Sequence, residues 1–270
     1  MNPGSTLRIP AKQSFWISLK IQGRVIKALF LREMISHFGR HNIGFLWMFA
    51  EPMMVTIGIM ILWALVGHEH GVMPSAGFAL TGYSAILGWR NCVNKTSVAL
   101  TANKGLLFHR NVTVLDLALS RSIFEFSSVS TSFLFLSIVL FGLNILVPPV
   151  YPLKTICAWL LLGWFYICAG IIALYLAEKS ELFHRISHVL MYLTLPLTGA
   201  FAMVSWLPKK LQPTYLLSPM VNGVEMLREG YFGEIVKAQY SISFIITCNI
   251  ILTAVALFLV SQVNKFTGSE

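Results

Sequence analysis

The chain has 270 residues, of which 56% are hydrophobic and only 11% are charged. A soluble domain carries about 25% charged residues, so this composition excludes an ordinary soluble globular protein. The net charge of +9 does not indicate a nucleic-acid partner, because the basic residues flank apolar segments instead of forming one patch.

Six apolar segments are long enough to cross a bilayer as helices, which takes about 20 residues each. We predict an all-α membrane protein with six transmembrane helices, near residues 44–67, 77–100, 117–147, 153–177, 187–207 and 241–263. Residues 1–43 form an N-terminal segment, and residues 44–270 form a single transmembrane domain. Twelve basic residues lie on the side of the two termini and five on the opposite side, which predicts that both termini are cytoplasmic.

Residues 15–30 have the spacing of an amphipathic helix on a membrane surface, with apolar side chains on one side and cations on the other. From Leu31 onward this phase inverts, and Arg32 takes the former apolar angle. We therefore predict a bend near Leu31, with the second piece packed on protein. A plain juxtamembrane anchor is the alternative. The charged residues of this interfacial helix are Lys20, Arg24, Lys27, Arg32 and Glu33.

Three stretches resemble one known family: LREMISHFGRHNIGFLWMFAEPM at 31–53, ANKGLLFHRNVTVLD at 102–116, and LPKKLQPTYLLSPMVNGVEMLREG at 207–230. In this order they are similar to the permease subunits of type-2-class ABC exporters, specifically those that export capsular polysaccharide. The resemblance implies a multi-pass protein of the bacterial inner membrane. It also implies a homodimer, two soluble ATPase subunits that bind ATP and Mg, a periplasmic adaptor, an outer-membrane export protein, and a lipid-linked acidic polysaccharide as cargo.

Glu51-Pro52 falls inside the first predicted span, where a carboxylate is costly and a proline removes a backbone hydrogen bond. We predict a break in the helix there. Glu51 either faces a cavity or a basic partner, or it is a helix-end acid at the interface. In the second span, Arg90 and Asn94 share one face with the spacing of four residues. They either present donors to sugar or pair with an acid. Neighbouring polar candidates are Trp89 and Lys95.

The short loop after the second span has apolar residues between cations. The resemblance implies that it is a coupling helix that docks into the ATPase partner, and an ordinary loop on the membrane is the alternative. Its residues are Lys104, Gly105, Leu106, Leu107, Phe108, His109 and Arg110. The third span opens with Asp116, Arg121 and Glu125, which we predict to lie at the translocation path or gate. Arg121 and Glu125 are four residues apart and are predicted to pair.

Residues 208–237 contain their own helix signals outside the spans. Ser218 suits the N-cap, Pro219 the first helical position and Gly230 the terminating position, so we predict a short external helix that includes Glu225 and Arg228. Pro196 and Gly199 predict that the fifth span is broken. The resemblance implies that such helices dip back toward the membrane and shape the exit of the channel.

The chain has no GxxxxGK[ST] loop, so energy must come from a partner or an ion gradient. The resemblance favours a permease subunit that is not itself an enzyme and binds no cofactor or metal. The same architecture exporting O-antigen, teichoic acid or another lipid-linked glycan is an alternative. An ion-coupled secondary transporter would call for internal repeats, which are not evident. An enzyme acting on lipid-linked sugars would rely on Glu181, His184 and His188.

Overall fold

A computed structural model describes residues 15–38, 43–66, 73–103, 105 and 112–267 of the chain. Every regular element in this part of the chain is helical. The α-helices are α1 (Phe15–Phe38), α2 (Ile43–Val66), α3 (Ser75–Ser97), α4 (Ala99–Ala102), α5 (Val114–Gly142), α6 (Pro152–Lys179), α7 (Glu181–Leu193), α8 (Gln212–Tyr215), α9 (Pro219–Phe232) and α10 (Ile242–Thr267). Short 3-10 helices cover Leu195–Thr198, Val204–Trp206 and Gly233–Ile235.

Three helices in the described ranges are long and apolar enough to cross a membrane: α5, α6 and the Ile242–Val263 part of α10. Residues Ala50–Leu62 of α2 form a shorter apolar stretch. This pattern is consistent with the multi-pass helical membrane protein that the sequence predicts. Helix α6 lies at the centre of the bundle, where it packs against α3, α5, α9 and α10.

The predicted break in the fifth apolar segment is confirmed. Helix α7 ends at Leu193, a 3-10 turn follows over Leu195–Thr198, and the chain then bends at Gly199 with a φ of 75°. A positive φ is adopted by glycine without steric cost. The segment therefore enters the bundle as one regular helix and continues as irregular backbone.

Helix α1 corrects one prediction about the N-terminal segment. It is continuous from Phe15 to Phe38, and a bend near Leu31 within this helix stays a prediction. The apolar side that was predicted to lie on lipid instead packs on the bundle: Leu29 is buried and Phe30 meets Phe124 edge-on at 5.7 Å, whereas Leu31 is 45% exposed. Along the side of α1 that faces the bundle, the apolar contacts of Leu29 and Phe30 are followed by the polar contacts of Arg32 and Glu33.

Helix α2 continues through Pro52 from Ile43 to Val66, so the predicted break at Glu51-Pro52 is wrong. Proline removes a single backbone hydrogen bond, and a helix of 24 residues retains the bonds on either side. The Thr56 hydroxyl donates to the Pro52 carbonyl at 2.9 Å, the back-bond to the carbonyl four residues earlier that threonine often makes inside a helix.

Helix α9 packs into the bundle, because only Pro219 and Glu229 of its 14 residues are not buried. Its position outside the membrane core stays a prediction. It packs against α6, α3 and α10. Ser218 is its N-cap, as predicted, and accepts the Val221 N–H. The helix ends at Phe232, and Gly233, with a φ of 70°, is its C-cap, three residues beyond the predicted Gly230.

Gly230 instead allows α9 to approach α6. A Cβ at this position would lie 2.7 Å from the Thr155 backbone nitrogen and 3.0 Å from its Cα, so the backbone of α6 would have to move. Small residues of this kind are typical of close helix contacts in membranes.

We expect Gly230→Ala to lower the free energy of unfolding by about 1–2 kcal/mol. Overpacking costs about 1–3 kcal/mol, and the better helix propensity of alanine recovers only part of that. Thermal unfolding of the purified protein in detergent measures the change. Gly58→Ala is the matched control, because its Cβ would meet nothing within 4 Å. Equal melting temperatures for Gly230→Ala and wild type would contradict the close contact.

Candidate functional site

Four charged side chains from three helices form one connected group, which we call the charged cluster: Glu33 of α1, Lys95 of α3, and Arg121 and Glu125 of α5. Arg121 Nη1 donates to Glu33 Oε2 at 2.7 Å, and Arg121 Nη2 lies 2.9 Å from Glu125 Oε1. Lys95 Nζ lies 3.0 Å from Glu125 Oε2. The predicted pair of Arg121 and Glu125 along one helix is confirmed.

The charged cluster is built around a buried carboxylate. The side chain of Glu125 is only 1% exposed, and each of its oxygens faces a cation. A buried charge is stable only when it is paired, and the loss of one partner costs about 3–5 kcal/mol. Arg121 is shared by two carboxylates and thereby joins α1 to the interior of the bundle.

A second polar contact fixes α1 beside the charged cluster. Arg32 Nη1 donates to the side-chain oxygen of Asn103 at 2.9 Å. Asn103 follows α4 directly and is itself anchored, since its side-chain nitrogen donates to the Ala99 carbonyl at 3.0 Å. The contact therefore connects α1 to the residue at which the predicted coupling loop begins.

Asp116 does not join the charged cluster, although the sequence placed it with the gate residues. Its carboxylate accepts the Thr113 N–H at 3.0 Å and the Thr113 hydroxyl at 2.8 Å, and the Asp116 N–H donates back to Thr113. This is a capping box, which satisfies backbone donors at the start of α5. Asp116 therefore caps the start of α5, and it makes no ion pair with any residue that the structure describes.

The polar residues of α3 have separate surroundings. Lys95 reaches the acid of α5, whereas the Arg90 guanidinium lies 5.5 Å from the centre of the Tyr192 ring on α7. Trp89 stacks on Phe165 with ring centres 5.2 Å apart. Trp89 also lines a cavity of about 420 Å³ at the broken fifth segment. For Asn94, the described contact is its backbone carbonyl, which accepts the Ser97 hydroxyl.

The structure separates Glu51 from the cations that were considered as its partners. Pro52 is buried, whereas Glu51 lies on the exposed side of α2 in this single chain. No ion pair of Glu51 occurs within the described ranges. Arg90 and Lys95 have the other contacts given above.

The buried polar residues of α9 hold the irregular part of the fifth segment. Arg228 is fully buried; its Nη1 and Nη2 donate to the carbonyls of Gly199 and Ala200, each at 2.7 Å, and its guanidinium lies 3.8 Å from the centre of the Phe78 ring. Glu225 accepts the N–H groups of Val204 and Gln239, each at 3.0 Å. Arg228 and Glu225 therefore supply the partners that the broken backbone lacks.

Burial affects the ionisation of both residues. It lowers the pKa of Arg228 to about 10, so the guanidinium remains charged at neutral pH. Burial raises the pKa of Glu225, and the two backbone N–H donors and the charge of Arg228 oppose that rise. These residues were predicted as part of an external helix, but their contacts assign them to the support of the fifth segment.

Several predicted residues lie outside the described ranges or carry no specific contact there. Lys20, Arg24 and Lys27 are exposed on α1, and Gly105 is exposed beyond α4. The remaining residues of the predicted coupling loop lie outside the described part of the chain: Lys104, Leu106, Leu107, Phe108, His109 and Arg110.

The ion pair between Glu33 and Arg121 is the contact that sequence reasoning missed. The two residues are 88 positions apart, so no helical spacing relates them. One signal was available: Glu33 is the single acid in the first 43 residues, on a segment otherwise rich in cations. An acid in the part of an amphipathic helix where the apolar side has changed position indicates a basic partner elsewhere in the protein.

The chain is similar to known membrane proteins over nearly its whole length. It is 38% identical over 255 residues to the capsule polysaccharide export inner-membrane protein CtrC of Neisseria meningitidis serogroup B, covering 94% of this chain and 96% of that protein. It is 35% identical over 255 residues to the capsule polysaccharide export inner-membrane protein BexB of Haemophilus influenzae, with coverages of 94% and 96%.

A more distant similarity extends to the polysialic acid transport protein KpsM of Escherichia coli, at 24% identity over 233 residues, 83% of this chain and 89% of that protein. Residues 24–232 match the family model described as ABC-2 type transporter. The matched range includes residues 24–38 of α1, the charged cluster and α9.

Proposed function

We propose that this chain, which belongs to the ABC-2 type transporter family, forms the channel of an ATP-driven exporter that moves lipid-linked capsular polysaccharide out of the cytoplasm. The observation that carries the proposal is the similarity to capsule polysaccharide export inner-membrane proteins along 94% of the chain. The chain is a multi-pass inner-membrane protein and the permease subunit of its transporter. It is not itself the ATPase.

In the proposed assembly, two copies of the chain form the channel and two soluble ATPase subunits dock on the cytoplasmic side. Each copy has six spans that follow the N-terminal segment, with both termini in the cytoplasm. The ATPase subunits bind ATP and Mg, and the chain binds neither. A periplasmic adaptor and an outer-membrane protein continue the path of an acidic, lipid-linked polysaccharide.

The charged cluster connects the ATPase side of each subunit to its channel. Movement of the loop 104–110 displaces Asn103, and the hydrogen bond from Arg32 passes that displacement to α1. The ion pair of Glu33 with Arg121 then acts on α5 and, through Glu125 and Lys95, on α3. Since each contact is a charged or directional bond, the three helices move together or the bonds break.

We place the channel along α2 and the broken fifth segment. A carboxylate that faced lipid at Glu51 would be costly, so we place the exposed side of α2 against the second copy or a water-filled path. The cavity at Trp89 adjoins the broken segment, and its surface is almost wholly apolar, with Trp89 and Phe165 among its lining residues. The C–H faces of sugar rings pack on aromatic side chains, which suits a glycan.

The experiment that tests the proposal is co-purification with the ATPase partner. We expect Leu107→Asp combined with Phe108→Asp to remove the ATPase from the purified complex, because the two residues are the apolar anchors of the proposed coupling helix. Leu143→Asp combined with Ile145→Asp, a pair of exposed apolar residues in the loop between α5 and α6, should leave the ATPase bound. Retention of both the ATPase and export by the loop variant would contradict the docking site.

A further inference from the structure

A cavity of about 380 Å³ lies beside the charged cluster, between α1, the end of α3 with α4, and α5. This volume falls within the range of about 300–1,000 Å³ that is usual for ligand sites. Its polar lining comes from Arg32, Glu33, Lys95, Asn103 and Arg121. Val98, which follows α3, and the small side chains Ala99 and Ala102 of α4 complete the wall.

The cavity has a surplus of positive charge. Arg32, Lys95 and Arg121 line the cavity. Two carboxylates contact these cations: Glu33, which also lines the cavity, and Glu125, which does not. Arg121 and Lys95 each have a carboxylate partner. Arg32 instead donates to the neutral amide oxygen of Asn103 and has no carboxylate partner within the described residues. One positive charge therefore remains to be balanced, and a guanidinium with spare donors suits a phosphate.

Next to Arg32, helix α1 carries uncovered apolar side chains. Leu31 is 45% exposed and Ile35 is 69% exposed, and their spacing of four residues places them together on the helix beside Arg32. In a membrane protein such side chains lie against acyl chains. A ligand that fits both features has a negatively charged head and a hydrocarbon tail.

We propose that this cavity binds the phosphate of an anionic membrane lipid, with Arg32 and Lys95 as its donors and the acyl chains along Leu31 and Ile35. The bound phosphate neutralises the surplus charge and bridges α1 to α3 in parallel with the ion pair of Glu33 and Arg121. The site makes the position of α1 dependent on lipid composition. This inference does not depend on the exported cargo, because its test measures lipid binding and not export.

The test uses the purified full-length chain in a zwitterionic detergent, with increasing amounts of phosphatidylglycerol. Native mass spectrometry counts the retained lipid, and thermal unfolding reports the stabilisation. We expect phosphatidylglycerol to bind and to raise the melting temperature, and Arg32→Gln to weaken its binding about tenfold, as the loss of a charged hydrogen bond predicts. Lys209→Gln, which removes an equivalent exposed charge elsewhere, should bind as wild type does.

Three results would overturn the proposal. Phosphatidylcholine could bind equally well, which would exclude recognition of net negative charge. Inorganic phosphate alone could reproduce the full stabilisation, which would exclude a lipid-specific site. Arg24→Gln could weaken binding as much as Arg32→Gln, which would indicate diffuse attraction along α1. Arg32→Lys retains the charge and should keep part of the affinity, so a folding defect in Arg32→Gln would not leave the question open.

Discussion

Arg121→Ala should abolish export and lower the free energy of unfolding by about 3–5 kcal/mol. Arg121 is the one residue of the charged cluster that contacts two carboxylates, at 2.7 Å and 2.9 Å. Its removal leaves Glu33 without its ion pair and leaves the buried Glu125 with Lys95 alone. Thermal unfolding measures the stability, and surface polysaccharide in cells that carry the variant measures export.

Glu33→Gln tests whether the contact between α1 and α5 is needed for export, with little effect on folding. This change removes the ion pair between α1 and α5 but keeps the three other members of the charged cluster paired. We expect near-normal stability with a strong loss of export and of the coupling between ATP hydrolysis and transport. Glu178→Gln, which removes an exposed carboxylate at the end of α6, is the matched control and should export normally. Normal export by Glu33→Gln would contradict the role of the pair.

Arg228→Met should have the second large effect, again about 3–5 kcal/mol of lost stability. Methionine keeps much of the volume but donates no hydrogen bond, so the carbonyls of Gly199 and Ala200 lose both of their 2.7 Å contacts. Glu225 also loses the charge that opposes its burial. Because these residues hold the irregular backbone of the fifth segment, we expect little folded protein in the membrane.

The yield of monodisperse protein and its thermal unfolding in detergent measure the effect of Arg228→Met. Arg185→Met is the matched control, since Arg185 is exposed on α7. Arg228→Lys should be intermediate at best, because an ammonium group cannot reach two carbonyls with the geometry of a guanidinium fork. A stable Arg228→Met protein with normal export would contradict the structural role assigned to Arg228.

Local signals in the sequence predicted the local structure well. The four-residue spacing of Arg121 and Glu125 predicted their pair, Pro196 and Gly199 predicted the broken fifth segment, and Ser218 predicted the start of α9. Each of these features depends on residues within one or two helical turns. The sequence alone therefore contains the information that determines them.

Features that depend on distant partners were predicted incorrectly or not at all. The phase inversion near Leu31 is present in the sequence of α1. Contacts with α5 determine which side of α1 packs on the bundle, and the sequence of α1 alone does not predict these contacts. Gly230 and Gly233 are both suitable helix terminators, and only the approach of Thr155 shows that the first is a packing contact. Pro52 by itself predicts a break, whereas the backbone hydrogen bonds on either side of it maintain α2 as one helix.

The most direct test of the whole account is the location of capsular polysaccharide in cells that lack this chain. Surface and intracellular polysaccharide would be quantified after deletion of its gene and after complementation with wild type or Glu33→Gln. We predict that polysaccharide accumulates inside the deletion strain, and that wild type but not Glu33→Gln returns it to the surface. Unchanged surface polysaccharide in the deletion strain would contradict the assignment of this chain as the export channel.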